Sequence, residues 1–340
     1  MLNINSLLMK KIIIISLSFL LYSINIVFSQ TYTEVFNVKT PNGSTVQDTY
    51  QLTSSDLSFN SSQIATMTAY YYNNYNEAVL IEPDSYKYNC HGYAWHVSEG
   101  GNKVWIGRYY VTSEDIYWND YSYTEVDESI ATKVSYHQDG NHSAIRLNST
   151  WYQSKWGWGG PLIKHHPNDV DLIYQPSKTK KYYVMPIFGS NSIYFSGESY
   201  SLNSSLASGT VNWSVSPSGS FSVSNSTGTS TKVLKNSTAT SGTATLTASV
   251  GGKTYYRTIT AYSAAISGPS TVNKGSTNTW ELPLGATSYS WNSVYMTPWG
   301  PKTGYTVAFT TTNNQTSDIV ECIVTLNGVS TFFDKFITVQ

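Results

Sequence analysis

A repeat in the C-terminal half of the chain constrains the fold more than any other feature of the sequence. The segment 187–193 has a counterpart 79 residues later, at 266–272. A tryptophan follows each segment, Trp213 in the first copy and Trp291 in the second, 78 residues apart. Near-constant spacing of this kind predicts one structural module that occurs twice in succession.

The segments between turns in this half alternate apolar and polar residues, as strands with one buried face do. Examples are residues 209–215, 243–250 and 319–325, and stretches rich in Ser, Gly and Asn separate them. This pattern predicts two tandem all-β sandwiches, each close in size to an immunoglobulin-like domain. The first copy, residues 186–262, resembles a bacterial Ig-like module. The second, residues 263–340, resembles the PKD-like modules of bacterial surface proteins.

The N-terminal half has a different composition, which indicates that any chemistry resides there. All six histidines fall between His91 and His166, and residues 30–178 carry 16 acidic and 9 basic side chains. Residues 179–340 carry 5 acidic and 9 basic side chains, and the polar stretch 175–181 is the predicted join. The net charge of −1 gives no basic footprint for nucleic acid, and two cysteines cannot form a disulfide framework.

The first residues have the pattern of a signal peptide. Lys10 and Lys11 precede an uncharged run over residues 12–27, and Val27 and Ser29 occupy the positions that signal peptidase recognises. We expect residues 1–29 to be removed before Gln30, and the mature protein to be secreted or held at the cell surface. The alternative is a membrane anchor, although the apolar run is short and no later segment is apolar enough to span a bilayer.

A short helix is expected to open at Cys90, because Asn89 is a helix-capping residue and Ala, Trp and Val follow on one side. Backbone amides at a helix N-terminus favour a thiolate, which is the nucleophilic form of cysteine. We therefore predict that Cys90 is solvent-reachable and Cys322 buried. The alternative is that Cys90 is merely a small buried residue.

A histidine-bearing hairpin is predicted about fifty residues further on. Residues 133–147 give two strands around an Asp139-Gly140 turn, the second strand opening with His142, and a third strand follows at 151–156. A helix-borne cysteine followed by such a hairpin is the chain order of papain-like cysteine hydrolases. With the block Asn89-Cys-His-Gly-Tyr-Ala-Trp95 and the motif Ser154-Lys-Trp-Gly157, residues 30–178 resemble a secreted family related to CHAP-like cell-wall amidases and peptidases.

The resemblance implies an α+β papain-like domain with a thiol site. Cys90 would be the nucleophile and His142 the base, with the ring of His142 within hydrogen-bond reach of the Cys90 sulfur. For the group that orients His142 we rank His165 above Ser154. The candidates for binding the oxyanion are Asn89, Tyr88 and Tyr86, all close to Cys90 in the sequence.

Neither a cofactor nor a metal is expected, because the histidine spacing matches no ligand motif such as H-E-x-x-H. The acidic stretch from Glu114 to Glu128 is predicted to be a solvated face. One departure from the wall amidases is Ala131-Thr132, where they carry a Gly-Asp pair before the hairpin.

The sequence therefore predicts a multidomain protein, with an α+β papain-like domain followed by two all-β immunoglobulin-like sandwiches. The first hypothesis is an exported hydrolase that cleaves amide bonds in peptide or peptidoglycan, with the sandwiches as spacer or anchor. The second is a non-catalytic surface adhesion protein with a degenerate papain-like scaffold. The expected partners are peptide, peptidoglycan or surface glycan, and not nucleic acid.

Overall fold

The computed structural model of the protein describes residues 31–53, 60–75, 77–109, 112–137, 142–156, 159–170, 179–195, 197–237, 240–283, 286, 288–326 and 329–340. The predicted signal peptide, the Asp139-Gly140 turn and the start of the predicted join lie outside the described residues. No helix in the described part of the chain is long and apolar enough to cross a membrane.

The chain forms two compact units. The first contains Thr45–Asp115 and Asp127–Tyr182 together with the residues up to Val38. The second contains Tyr183–Gln340 and two short segments from the N-terminal half, Lys39–Ser44 and Ile116–Val126. The sequence pattern assigned both short segments to the first domain, because composition alone does not reveal which unit a loop packs against.

The elements of the N-terminal half include three helices and ten strands. The helices are α1 (Ser61–Asn74), α2 (Cys90–Trp95) and α3 (Ile116–Asn119). The strands are β1 (Tyr32–Glu34), β2 (Thr49–Leu52), β3 (Val79–Glu82), β4 (Trp105–Ile106), β5 (Thr124–Glu125), β6 (Lys133–His137), β7 (His142–Arg146), β8 (Tyr152–Lys155), β9 (Leu162–His165) and β10 (Thr179–Val184).

The first unit is built on two sheets. Strands β1, β2 and β4 form a small sheet, and the main sheet runs in the order β3-β9-β8-β7-β6-β10. The predicted hairpin is present, since β6 and β7 pair antiparallel with Tyr136 opposite His142. The chain enters the second unit within β10, whose residue Tyr183 pairs with Glu125 of β5.

The second unit contains fifteen further described strands. In the first copy these are β11 (Ile187–Phe188), β12 (Ser192–Ile193), β13 (Gly197–Leu202), β14 (Asn212–Ser216), β15 (Phe221–Val223), β16 (Ser230–Lys235), β17 (Gly242–Val250) and β18 (Lys253–Ala261). In the second copy they are β19 (Thr271–Val272), β20 (Thr277–Glu281), β21 (Ser288–Ser293), β22 (Thr297–Trp299), β23 (Thr306–Thr310), β24 (Ser317–Leu326) and β25 (Val329–Val339).

Each copy is a sandwich of two sheets. The first has the strand orders β11-β13-β16-β15 and β12-β18-β17-β14, and the second has β19-β25-β24-β21 and β20-β23-β22. In each copy a short early strand pairs parallel with the last strand, β12 with β18 and β19 with β25. The remaining described pairings of these sheets are antiparallel. This is the two-sheet strand order of immunoglobulin-like sandwiches.

The sequence repeat corresponds to equivalent positions in the two sandwiches. Trp213 and Trp291 lie on β14 and β21, and both are buried. Their indole N–H groups donate to the carbonyl oxygens of Gly228 and Gly304, at 2.6 and 2.8 Å. Each sandwich therefore satisfies its buried tryptophan in the same way.

Candidate functional site

Helix α2 begins at Cys90 as predicted, because Asn89 caps its N-terminus. Oδ1 of Asn89 accepts hydrogen bonds from the backbone N–H groups of Gly92 at 2.9 Å and Ile106 at 3.1 Å. Its Nδ2 donates to the Ile106 carbonyl at 2.7 Å. The carboxamide of Asn89 thus joins α2 to β4. The same carboxamide was a candidate for binding an oxyanion, and these three bonds occupy it.

The glycine of the same block permits close contact between α2 and the chain before β4. A Cβ added to Gly92 would lie 1.9 Å from the carbonyl oxygen of Val104, well inside van der Waals contact. Ala94, two residues further on, is completely buried. Packing therefore explains residue types in the Asn89–Trp95 block without any role in catalysis.

Cys90 is buried, so the prediction of a solvent-reachable thiol is wrong. Burial raises the pKa of the Cys90 thiol to about 12; a hydrogen bond from the Ser143 backbone opposes the shift and the Glu114 carboxyl adds to it. The N-terminus of the short helix favours the thiolate, but burial disfavours it more strongly, because a charge removed from water loses its solvation. Cys322 is buried in the second sandwich, as predicted.

Buried polar side chains surround Cys90, and we call Cys90, His91, Trp95, Glu114 and Ser143 the polar core cluster. The Oγ of Ser143 lies 2.8 Å from Nδ1 of His91 and accepts from the indole N–H of Trp95 at 2.9 Å. Glu114 Oε1 lies 3.6 Å from His91 Nδ1. All five residues are less than a tenth exposed. The cluster connects α2 to β7 in a place that solvent scarcely reaches.

Glu114 overturns the prediction that the acidic stretch is a solvated face, since its side chain is fully buried. Burial raises the pKa of Glu114 to about 8, so the carboxyl is mostly protonated at neutral pH. No sequence signal separated Glu114 from the other acidic residues of its stretch. The sequence analysis also missed Ser143, because it assigned the role of the base to the neighbouring residue, His142.

His142 faces away from α2. Ser143 contacts α2 through its bonds to His91 and Trp95, and side chains alternate between the two faces of a strand. His142 and Ala144 therefore point to the opposite face, where Ala144 packs with Tyr136 and the His142 ring centroid is 5.3 Å from that of Tyr136. By this alternation Ser143, and not His142, is the β7 residue that meets α2.

His165 and Ser154, the two candidates for orienting His142, contact each other. The Oγ of Ser154 lies 2.8 Å from Nε2 of His165 and accepts from the indole N–H of Trp156 at 3.0 Å. Nδ1 of His165 is 2.8 Å from the His166 carbonyl oxygen. Burial lowers the pKa of His165 to about 4, so the ring is neutral at pH 7. Both ring nitrogens are thus occupied by other partners.

The tyrosines proposed for the oxyanion have structural partners as well. The hydroxyl of Tyr88 donates to Glu82 at 2.7 Å, and burial raises its pKa. The backbone carbonyl of Tyr86 accepts from Tyr32 and Trp105. Within the described ranges, no group of three or more His, Cys, Asp or Glu side chains is placed to hold a metal ion.

No protein-family model matches the chain, and no curated protein matches it. Solved structures that align with it include a chimeric titin Z1Z2 with a KLER peptide from decorin (13% identity, 44% of this chain and 90% of that chain, TM-score 0.18). The tandem Ig repeats of Dlar give 11% identity, 44% and 91% coverage, and a TM-score of 0.18. Domains 5–6 of the S-layer protein SbsC are 12% identical, the alignment covers 45% of this chain and 96% of that chain, and the TM-score is 0.20. At such low TM-scores the Ig-like assignment rests on strand order and register alone.

The close contact at Gly92 generates a stability prediction. We expect Gly92→Ala to lower the free energy of unfolding by about 1–3 kcal/mol or more, because the new Cβ overlaps the Val104 carbonyl. Urea unfolding followed by fluorescence measures the change. Gly219→Ala is the matched control, since its Cβ would meet no atom within 4 Å. Equal stability of the two variants would contradict the contact.

The buried carboxyl of Glu114 generates a pH prediction. Between its ordinary pKa of 4.5 and its folded value of about 8, the folded protein holds a proton that the unfolded chain releases. Raising the pH through this window therefore favours unfolding, by up to about 1.4 kcal/mol per pH unit, and the effect levels off above the folded pKa.

We expect the stability of the wild type relative to Glu114→Gln to fall from about pH 5 to about pH 8, as measured by urea titrations across that range. Glu34→Gln, at an exposed position on β1, is the control and should give a difference that changes little with pH. Parallel stability curves for the wild type and Glu114→Gln would show that Glu114 is not a protonated buried acid.

Proposed function

We propose that this chain is a non-catalytic adhesion or binding protein of the cell surface, exported through its N-terminal signal peptide. The first unit would be a degenerate papain-like scaffold, and the bacterial Ig-like and PKD-like modules would supply spacing and binding surface. The observation that supports this most strongly is that Ser143, and not His142, is the β7 residue that bonds to side chains of α2.

Thiol hydrolysis requires a base next to the sulfur and a sulfur that the substrate reaches. Neither requirement has support at Cys90, whose pKa is raised to about 12 by burial and whose neighbour Ser143 faces α2 in place of His142. Hydrogen bonds to backbone groups occupy Asn89. The same residues serve well as a scaffold, because buried polar groups that are paired hold elements in one arrangement.

The two sandwiches support a binding role through their construction. Tandem Ig-like modules present long sheet faces to solvent while their cores remain closed around Trp213 and Trp291. Exposed aromatic residues on the second module, among them Phe332 and Phe336, offer contact area for a partner.

Hydrolysis assays on the mature protein test the proposal. We expect the wild type, Cys90→Ala and His142→Ala to release product from peptidoglycan sacculi and from a fluorogenic peptide at the rate of buffer alone. Cys322→Ala is the matched thiol substitution, and circular dichroism verifies that each variant is folded. Turnover by the wild type that both Cys90→Ala and His142→Ala abolish, while Cys322→Ala retains it, would overturn the proposal.

A further inference from the structure

The outer face of the sheet β19-β25-β24-β21 carries large apolar side chains that remain exposed. Ile323, Phe332 and Phe336 are 47%, 56% and 62% exposed. The register places Ile323 directly opposite Phe332 and Ile319 directly opposite Phe336. Isolated exposed apolar residues are common on protein surfaces, but here two cross-strand apolar pairs share one face of one sheet.

Two carboxylates lie opposite each other between these apolar pairs. The register pairs Glu321 on β24 with Asp334 on β25, and like charges at directly opposed positions destabilise a sheet. Asn292 donates one hydrogen bond to Glu321, at 3.3 Å. Lys335 does not neutralise them from the next position, because it points to the other side and its Nζ donates to the Ile266 carbonyl at 3.4 Å.

The other outward positions on the four described strands of this face add no positive charge. They are Ser288, Ser290, Asn292, Thr271, Ser317, Thr325, Ser330 and Thr338. The face therefore has a central pair of negative charges, two flanking apolar pairs and a neutral polar margin. We call it the acidic-aromatic face.

We propose that the acidic-aromatic face binds an extended polypeptide segment of a partner protein, with a Lys or Arg side chain flanked by two apolar ones. This names the partner class of the binding function proposed above and rests on it. Residues two apart on a strand are about 7 Å apart, so the acidic pair sits midway between the apolar pairs. An extended segment presents alternate side chains at the same spacing, with its cation opposite Glu321 and Asp334.

The size and charge of the face favour such a segment over other occupants. A phenylalanine buries about 150–250 Å² when fully covered, so Phe332 and Phe336 leave roughly 100 Å² each to contact a partner. A symmetric dimer through this face would bring the carboxylates of both copies together, because a twofold interface uses the same patch on each subunit, and this argues against a second copy of this chain. Anionic lipid surfaces would be repelled by Glu321 and Asp334.

Fluorescence anisotropy on the full chain tests the proposal with two labelled peptides of seven residues. Both have phenylalanine at the second and sixth positions and threonine or serine elsewhere, and the central residue is lysine in one and glutamate in the other. We expect the lysine peptide to bind at least about tenfold more tightly than the glutamate peptide, because like charges across an interface oppose binding. The preference should shrink as salt is raised.

Variants of the protein locate the site. The double variant Glu321→Gln, Asp334→Asn should weaken binding of the lysine peptide by about tenfold, and Phe336→Ser should weaken it similarly. The matched controls lie on the other sheet, at the exposed Glu281 and Trp299, and Glu281→Gln and Trp299→Ser should leave binding unchanged.

Several outcomes would overturn the inference. These are no binding of the lysine peptide up to millimolar concentration, equal binding of both peptides, or unchanged binding by the double variant. Concentration-dependent dimerisation abolished by Phe336→Ser would assign the face to a second copy. Association with phosphatidylserine vesicles lost in Phe336→Ser would assign it to a membrane. The hydrolysis assays are independent, so a negative peptide result leaves the non-catalytic proposal standing.

Discussion

The carboxamide of Asn89 makes three hydrogen bonds on which the first unit depends. One caps α2 at Gly92, and two hold the backbone of Ile106 in β4. The side chain is buried, so each bond is made where water does not compete for it. The helix therefore starts at Cys90 and lies against β4, at a distance that only glycine at position 92 allows.

Burial of Cys90 follows from this attachment. With α2 held against β4 and against β7 through Ser143, the first residue of the helix lies inside the unit, where a thiol keeps its proton. The same contact determines the orientation of His142, because only one of two consecutive strand residues can face the helix. Packing around a capped helix thus accounts for a motif that looks catalytic in sequence.

Much of the architecture was predictable, because it depends on local signals and repetition. Asn89 marks the helix start, the alternation on both sides of His142 predicts the hairpin, and the paired Trp213 and Trp291 predict the duplicated sandwich. The sequence did not determine which face of β7 packs against α2. A shift of one residue exchanges Ser143 and His142 between the faces, and nothing local determines which of them meets the helix.

Burial of charged groups was equally beyond sequence reasoning. Glu114 stands in a run of acidic residues yet is fully buried beside His91, whereas Glu321 and Asp334 remain together at the surface. The segments Lys39–Ser44 and Ile116–Val126 belong to the second unit for a similar reason. In each case the residues that determine burial or packing are distant in the chain, and they cannot be predicted from the residue type alone.

The reactivity of Cys90 in the folded protein tests the central claim most directly. Alkylation by iodoacetamide, mapped by mass spectrometry from about pH 6 to about pH 9, reports the thiolate population at each cysteine. We expect Cys90 to remain unmodified across this range until the protein is unfolded by urea, as its burial and raised pKa require. Rapid modification of native Cys90 with a midpoint below about pH 7, slowed by His142→Ala, would contradict the account.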